Sequence, residues 1–208
     1  MKNIVILISG RGSNMQAIVN AGIPDVRIAA VLSNSATAAG LAWAADRGIP
    51  TDSLNHKDFA SRGAFDQAMM EKIDAYQPDL VVLAGFMRIL TPEFCTRYEG
   101  RLMNIHPSIL PSFTGLHTHE RALAAGCRVA GCTIHFVTSE LDCGPIISQG
   151  VVPIFDNDTA DDIAARVLKV EHRLFPQAVA DFAADRLKIE GNRVINSRNQ
   201  PEDRPLLA

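Results

Sequence analysis

An α/β fold built on a doubly wound, mostly parallel sheet is predicted by three observations. Short apolar runs of strand length recur at residues 3–8, 27–32 and 79–84, as strands buried on both faces require. Stretches with helical spacing separate them, and strands joined through helices pair in parallel. After residue 106 two strand-like runs follow each other with only a turn between them, which adds an antiparallel C-terminal extension to the sheet.

The elements follow in order. Ile4-Val5-Ile6-Leu7-Ile8 fills the first strand, Gly10-Arg11-Gly12-Ser13-Asn14 turns the chain, and residues 14–21 have helical spacing. Residues 27–32 form the second strand, and an Ala-rich helix covers 38–47 until Gly48 ends it. A short extended piece at 51–54 precedes a helix over 58–76, with Phe59, Phe65, Met69 and Ile73 as its buried stripe and Pro78 closing it. Residues 79–84 are the next buried strand. Thr91-Pro92-Glu93 reads as an N-cap with proline at the first helical position, opening a short helix to Tyr98. Residues 101–106 are the strand that ends at Pro107, which has no N–H to donate.

Residues 107–116 form a loop with Pro107, Pro111 and Gly115, followed by a helix over 117–125. Strands at 129–137 and 146–154 flank a turn from Asp142 to Pro145 and pair antiparallel. Asp158-Thr159 caps a helix to about 182, with Ile163, Val167, Val170 and Leu174 on one face, and a short hairpin surrounds Gly191. The whole reads as one domain over 1–195. A Rossmann-like, phosphate-binding half covers about 1–100 and a second half, carrying the chemistry, covers 101–195. The polar tail 196–208 is expected to be mobile.

Composition narrows the function classes. A chain of 208 residues can bury one substantial core. A net charge of -3 without a basic run argues against a nucleic-acid partner, so any anion is held by local arrangements. Cys95, Cys127, Cys132 and Cys143 form no CxxC pair and no His–Cys cluster of zinc-finger spacing, so no metal is expected. The first apolar run is too short for a signal segment and no run is long enough to cross a bilayer, which makes the cytoplasm the expected compartment.

Two stretches carry chemistry. Asn104 and His106 stand two apart on a strand and project from the same face at its end. With the carboxylate of Asp142 from a distant turn they supply the parts of an acyl or formyl transfer. The amide holds a developing oxyanion, the imidazole manages protons, and the carboxylate keeps the imidazole charged. The bland alternative is a strand end with two polar residues. The Gly-rich turn after the first strand suits a phosphate, held by the amides near Gly12, Ser13 and Asn14 at a helix N-terminus. Met15 stands where a dinucleotide fingerprint has its third glycine, and the second strand ends in Asn34 instead of a ribose-binding acid. A phosphorylated small molecule fits this turn, whereas NAD and ATP do not.

These segments carry a resemblance. ILISGRGSN, VVLAGFMRIL, NIHPSILP, GLHTH, LDCGP and the distal VEH, in order from residue 4 to about 182, resemble the phosphoribosylglycinamide formyltransferase family, the folate-dependent GAR transformylases of purine synthesis. NIHPSILP and LDCGP alone would suit any enzyme using 10-formyltetrahydrofolate, and SGRGSN with GLHTH narrows the choice. The resemblance implies two small-molecule partners, glycinamide ribonucleotide (GAR) and 10-formyltetrahydrofolate as co-substrate, no metal, and a monomer or homodimer. It assigns Asn104, His106 and Asp142 to catalysis. It assigns Gly12, Ser13 and Asn14 to the phosphate, and Glu171 to the nucleotide sugar. Arg62, Met87, Arg88, Ile89, Leu90 and Asn104 fall to the folate. Thr114, where the family usually has proline, and Cys143, where glycine is common, depart from its pattern.

Without the resemblance several of these residues read otherwise. Met87, Ile89 and Leu90 would be core, Arg88 a surface ion pair, and Glu171 a solvated helix flank. His135 would be a satisfied strand histidine. His117 and His119, two apart on a helix, do not share a face as a metal pair must. A relative formylating tRNA is expected to carry a C-terminal RNA-binding domain, and one hydrolysing formyltetrahydrofolate an extra N-terminal domain, for which 208 residues leave no room. A nucleotide-dependent dehydrogenase is disfavoured by the failed fingerprint. A phosphate-ligand sensor on the same fold would not need the Asn/His/Asp group.

Overall fold

A computed structural model describes residues 1–198. Nine strands form one sheet: β1 (Lys2–Ile8), β2 (Val26–Ser33), β3 (Thr51–Ser53), β4 (Leu80–Leu83), β5 (Leu102–His106), β6 (Val129–Phe136), β7 (Ile146–Pro153), β8 (Leu187–Glu190) and β9 (Arg193–Asn196). Their order is β3-β2-β1-β4-β5-β6-β7-β9-β8. The first five run parallel, β5–β6, β6–β7 and β8–β9 are antiparallel, and β7 meets β9 in parallel. The predicted fold class is the observed one: an α/β sheet, mostly parallel, with an antiparallel extension.

The helices are α1 (Ser13–Asn20), α2 (Ala39–Ala45), α3 (Arg62–Asp74), α4 (Pro92–Arg97), α5 (Thr118–Ala124) and α6 (Ala160–Ala183). Alternation along β1 splits the core. Ile4, Ile6 and Ile8 pack with residues of α1, α2 and α6 on one face, while Val5 and Leu7 pack with Phe65, Met69, Phe94 and Tyr98 from α3 and α4 and the α4 end on the other. A strand buried on both faces must be apolar throughout, which is why this one is a continuous run.

Two expected boundaries shift. The helix foreseen over 58–76 begins only at Arg62, because local side-chain bonds stop it earlier. Asn55 accepts from the Lys57 N–H at 3.1 Å and caps a single 3-10 turn, and Ser61 accepts from the Ala64 N–H at 3.1 Å and caps α3. Phe59 therefore lies outside the helix, yet its ring still packs edge-on against Phe65 at 5.6 Å. At the other end β9 runs to Asn196, and the Ser197 N–H donates to the Arg186 carbonyl at 3.1 Å, so the ordered hairpin passes residue 195. The remainder of the expected mobile tail, 199–208, lies outside the described residues.

Candidate active site

The strand order reverses between β2-β1 and β1-β4, which opens a crevice beyond the carboxyl ends of β1 and β4. A cavity of about 290 Å³ lies there, lined by Ser9, Gly10, Gly12, Ser13, Asn14 and Met87 among others. Gly12 takes the left-handed conformation (φ 69) that ends the loop and starts α1. The loop carbonyls are occupied. Gly10 accepts from the Gly40 N–H at 3.1 Å, Arg11 from the Gln16 side chain at 3.1 Å, and Gly12 from the Gln16 N–H at 2.9 Å. The N–H groups of Gly10 to Met15 donate to no other group among the described residues. Free donors at a helix N-terminus form an anion cradle.

Asn14 and Glu171 meet across 157 residues of sequence: the Asn14 amide donates to the Glu171 carboxylate at 2.7 Å. Glu171 is only 7% exposed, so the solvated-flank reading fails; α6 turns it inward onto α1. Burial raises its pKa above the usual carboxylate value, against the pull of the Asn14 bond and of nearby His106. The side-chain oxygen (Oδ1) of Asn14 is buried without a partner among the described residues.

The third set sits at the end of β5. His106 Nδ1 lies 3.6 Å from the Asp142 carboxylate, and its Nε2 lies 3.0 Å from the Phe113 carbonyl. The Phe113 carbonyl accepts from Nε2–H, while Asp142 faces Nδ1 from just beyond hydrogen-bond distance as a negatively charged neighbour. The other Asp142 oxygen accepts from the Gly115 N–H at 2.8 Å, which ties the 107–116 loop to the turn after β6. Asn104 Nδ2 lies 3.2 Å from His135 Nε2, and His135 Nδ1 lies 2.9 Å from the Phe136 carbonyl. Burial lowers the His135 pKa, so its ring is neutral: Nδ1–H donates to the carbonyl and Nε2 accepts from the amide. The other Asn104 N–H has no partner among the described residues.

Residues 2–179 match the formyl transferase family. The chain is 51% identical to the phosphoribosylglycinamide formyltransferase of Escherichia coli K12, with 91% of each chain covered. The chain belongs to the formyl transferase family, in its phosphoribosylglycinamide formyltransferase branch. The glycinamide ribonucleotide transformylase 1 of Symbiobacterium toebii superposes with a TM-score of 0.91 at 46% identity, over 94% of each chain. The human trifunctional purine biosynthetic protein adenosine-3 is 42% identical over 91% of this chain, which spans 19% of that longer protein.

Of the other residues singled out in this formyltransferase, Met87 lines the cavity. Met87 and Ile89 are 67% and 59% exposed, so they are not core. The Met87 N–H donates to Ser9 Oγ at 2.8 Å, which fixes the β4 loop beside the β1 loop. Leu90 is half-buried against the α3–α4 core. Arg88 forms no ion pair among the described residues. Its guanidinium lies 4.8 Å from the Phe65 ring centre and its Nε is buried without a partner, so the surface-ion-pair reading is replaced by a cation–π contact. Arg62 is exposed at the first residue of α3, with no hydrogen bond to the Asn104–His106–Asp142 group. His117 caps α5 and lies 3.5 Å from Glu120. Among the described residues no three His, Cys, Asp or Glu side chains cluster as metal ligands. The Cys143 thiol is exposed, with its pKa raised by slight desolvation and by Glu140 and Asp142, which disfavours the nucleophilic thiolate. The ties of Phe113 and Gly115 to His106 and Asp142, and of His135 to Asn104, have no counterpart in spacing along the chain.

Proposed function

We propose that this chain transfers the formyl group of 10-formyltetrahydrofolate to the amine of GAR, giving formyl-GAR and tetrahydrofolate in purine synthesis. One observation supports it above the others: Glu171 holds Asn14 beside the anion cradle and also lies within electrostatic reach of His106. A phosphorylated nucleotide in the cradle thus has its far end directed toward the Asn/His/Asp group.

The GAR phosphate takes the N–H groups around Gly12, Ser13 and Asn14, and Glu171 accepts from the sugar hydroxyls. The folate lies along the segment from Met87 to Leu90, with Arg62 and Arg88 near its acidic end and Asn104 at its reacting end. The GAR amine attacks the formyl carbon, and the carbonyl electrons move onto oxygen. The free Asn104 N–H and the His106 Nε2–H, turned from the Phe113 carbonyl, donate to that oxyanion. Asp142 faces the imidazole Nδ1 from 3.6 Å and orients the ring. The attacking nitrogen loses a proton, the folate nitrogen gains one as its bond to carbon breaks, and a water held at His106 and Asp142 relays it. Charge is handled by amide and imidazolium throughout, so the scheme asks for no metal and no covalent enzyme intermediate.

An absorbance assay for tetrahydrofolate, run with and without GAR, tests this. Turnover that needs both substrates is expected. Folate breakdown without GAR would make the chain a hydrolase, and phosphate-ligand binding without folate turnover would make it a binding module.

A further inference from the structure

We propose that Gly40 is a positioning residue for the phosphate site, holding the loop of residues 10–12 at the depth where its N–H groups close on the GAR phosphate. The proposal rests on reading that loop as the phosphate cradle.

Gly40 is the second residue of α2, a seven-residue helix that is otherwise mostly alanine. Glycine is a poorer helix former than alanine, and Gly40 is not among the residues with positive φ. Backbone conformation therefore gives no reason for glycine here, but space does. A Cβ on Gly40 would stand 2.5 Å from Ile8 Cδ1, 3.0 Å from the Arg11 carbonyl oxygen and 3.2 Å from the Gly10 carbonyl oxygen. Two of these three atoms belong to the backbone of the loop itself. The third is the far end of the Ile8 side chain, which is fully buried at the end of β1.

The Gly40 N–H also donates to the Gly10 carbonyl at 3.1 Å. That bond keeps the carbonyl turned toward α2, so the N–H groups of the loop stay turned the other way. Across the loop, a Cβ on Gly12 would meet Met15 Cε at 3.0 Å and lie 3.6 Å from Gly40 Cα. The loop is thus packed between the first turn of α1 and the bare backbone of α2. Any side chain at 40 displaces it by a few tenths of an ångström, toward the space a phosphate needs. Interiors packed this closely transmit such a shift.

The test is steady-state kinetics on Gly40→Ala, with thermal melting to confirm folding. The KM for GAR is expected to rise about five- to tenfold, while kcat and the KM for 10-formyltetrahydrofolate stay within about twofold. Glycinamide riboside, which lacks the phosphate, should compete equally well against both proteins. Adding Ile8→Val removes the nearest atom and should restore part of the GAR affinity. The double variant also serves if Gly40→Ala folds poorly, because the contacts to the two carbonyls persist in it. A folded Gly40→Ala with wild-type KM for GAR, or equal loss of the riboside, overturns the proposal. Gly12→Val separates the two readings. If it leaves the KM for GAR unchanged, the cradle itself is refuted; if it raises that KM while Gly40→Ala does not, only the role of Gly40 is.

Discussion

One N–H of the Asn104 amide is held by His135, and the other, without a partner among the described residues, is the one the proposed scheme gives to the oxyanion. Asn104→Ala is therefore expected to lower kcat by about 10²–10³ while both KM values change only a few-fold. A variant turning over near the wild-type rate would return Asn104 to a structural role. Asp142→Asn keeps an oxygen for the Gly115 N–H but removes the charge facing His106. A steep fall in kcat with an intact fold is expected, measured beside circular dichroism; a rate within a few-fold of wild type refutes the pairing. Asn104 and His106 are legible in the sequence because two-residue alternation on a strand is local. His135 is not, since it faces Asn104 only through the antiparallel register of β5 and β6. Glu171 is misread for a related reason. The partner that makes its burial tolerable, Asn14, is 157 residues away, and a helix wheel sees only neighbours on its own helix.

Among the elements, α4 and α6 announce themselves through Thr91 and Thr159, whereas the Ser61 cap of α3 does not stand out from the polar residues around it. Thr159 accepts from the Asp162 N–H at 3.2 Å and the Asp162 carboxylate accepts from the Thr159 N–H at 2.9 Å, a reciprocal capping box that opens α6. Thr159→Ala should cost about 1 kcal/mol in urea unfolding, with the slope on denaturant unchanged. An unaltered midpoint would mean that packing alone sets the start of α6. The β1–α1 loop is legible as a turn from its glycines, but its packing against α2 is not, because Gly40 is distant in sequence and sits between Ala39 and Leu41 in an ordinary Ala-rich helix. Gly12→Val forces a β-branched residue into φ 69 and places side-chain atoms against Met15. The KM for GAR should rise while that for folate changes far less. Equal weakening of both substrates would argue that the loop serves the fold and not the phosphate.

Over the whole molecule, the parallel half of the sheet follows from the sequence because strand–helix–strand units have one favoured hand. The far edge does not. The β8–β9 hairpin was expected, but its union with the sheet joins distant residues: Ile146 pairs with Arg193, Leu187 and Val194 pack on the main core, and Asp181 of α6 accepts from Asn196 at 2.8 Å and from Arg186 at 3.2 Å. The cost of bringing distant charges into one core appears at Glu171. Burial raises its pKa above the ordinary 4.5, so the folded protein binds this proton more tightly than the unfolded chain does. Its stabilising contribution is full below the ordinary value and is lost as pH rises through the raised one. Asp158 has the opposite sign. Arg166 holds its carboxyl down at about 2, so its contribution is present above 3.8 and lost only as pH falls through about 2. Glu171→Gln removes the titration yet keeps an oxygen to accept from Asn14. Differential scanning calorimetry should therefore show the variant melting above wild type near about pH 8, with the gap closing toward about pH 4. In the same variant the KM for GAR should rise about tenfold, because a neutral amide accepts more weakly from the sugar hydroxyls than a carboxylate does. A melting difference that does not vary with pH would show that Glu171 titrates no differently in the folded and unfolded chain. Higher stability together with weaker substrate binding would mean that the buried carboxylate is kept for function at the expense of the fold.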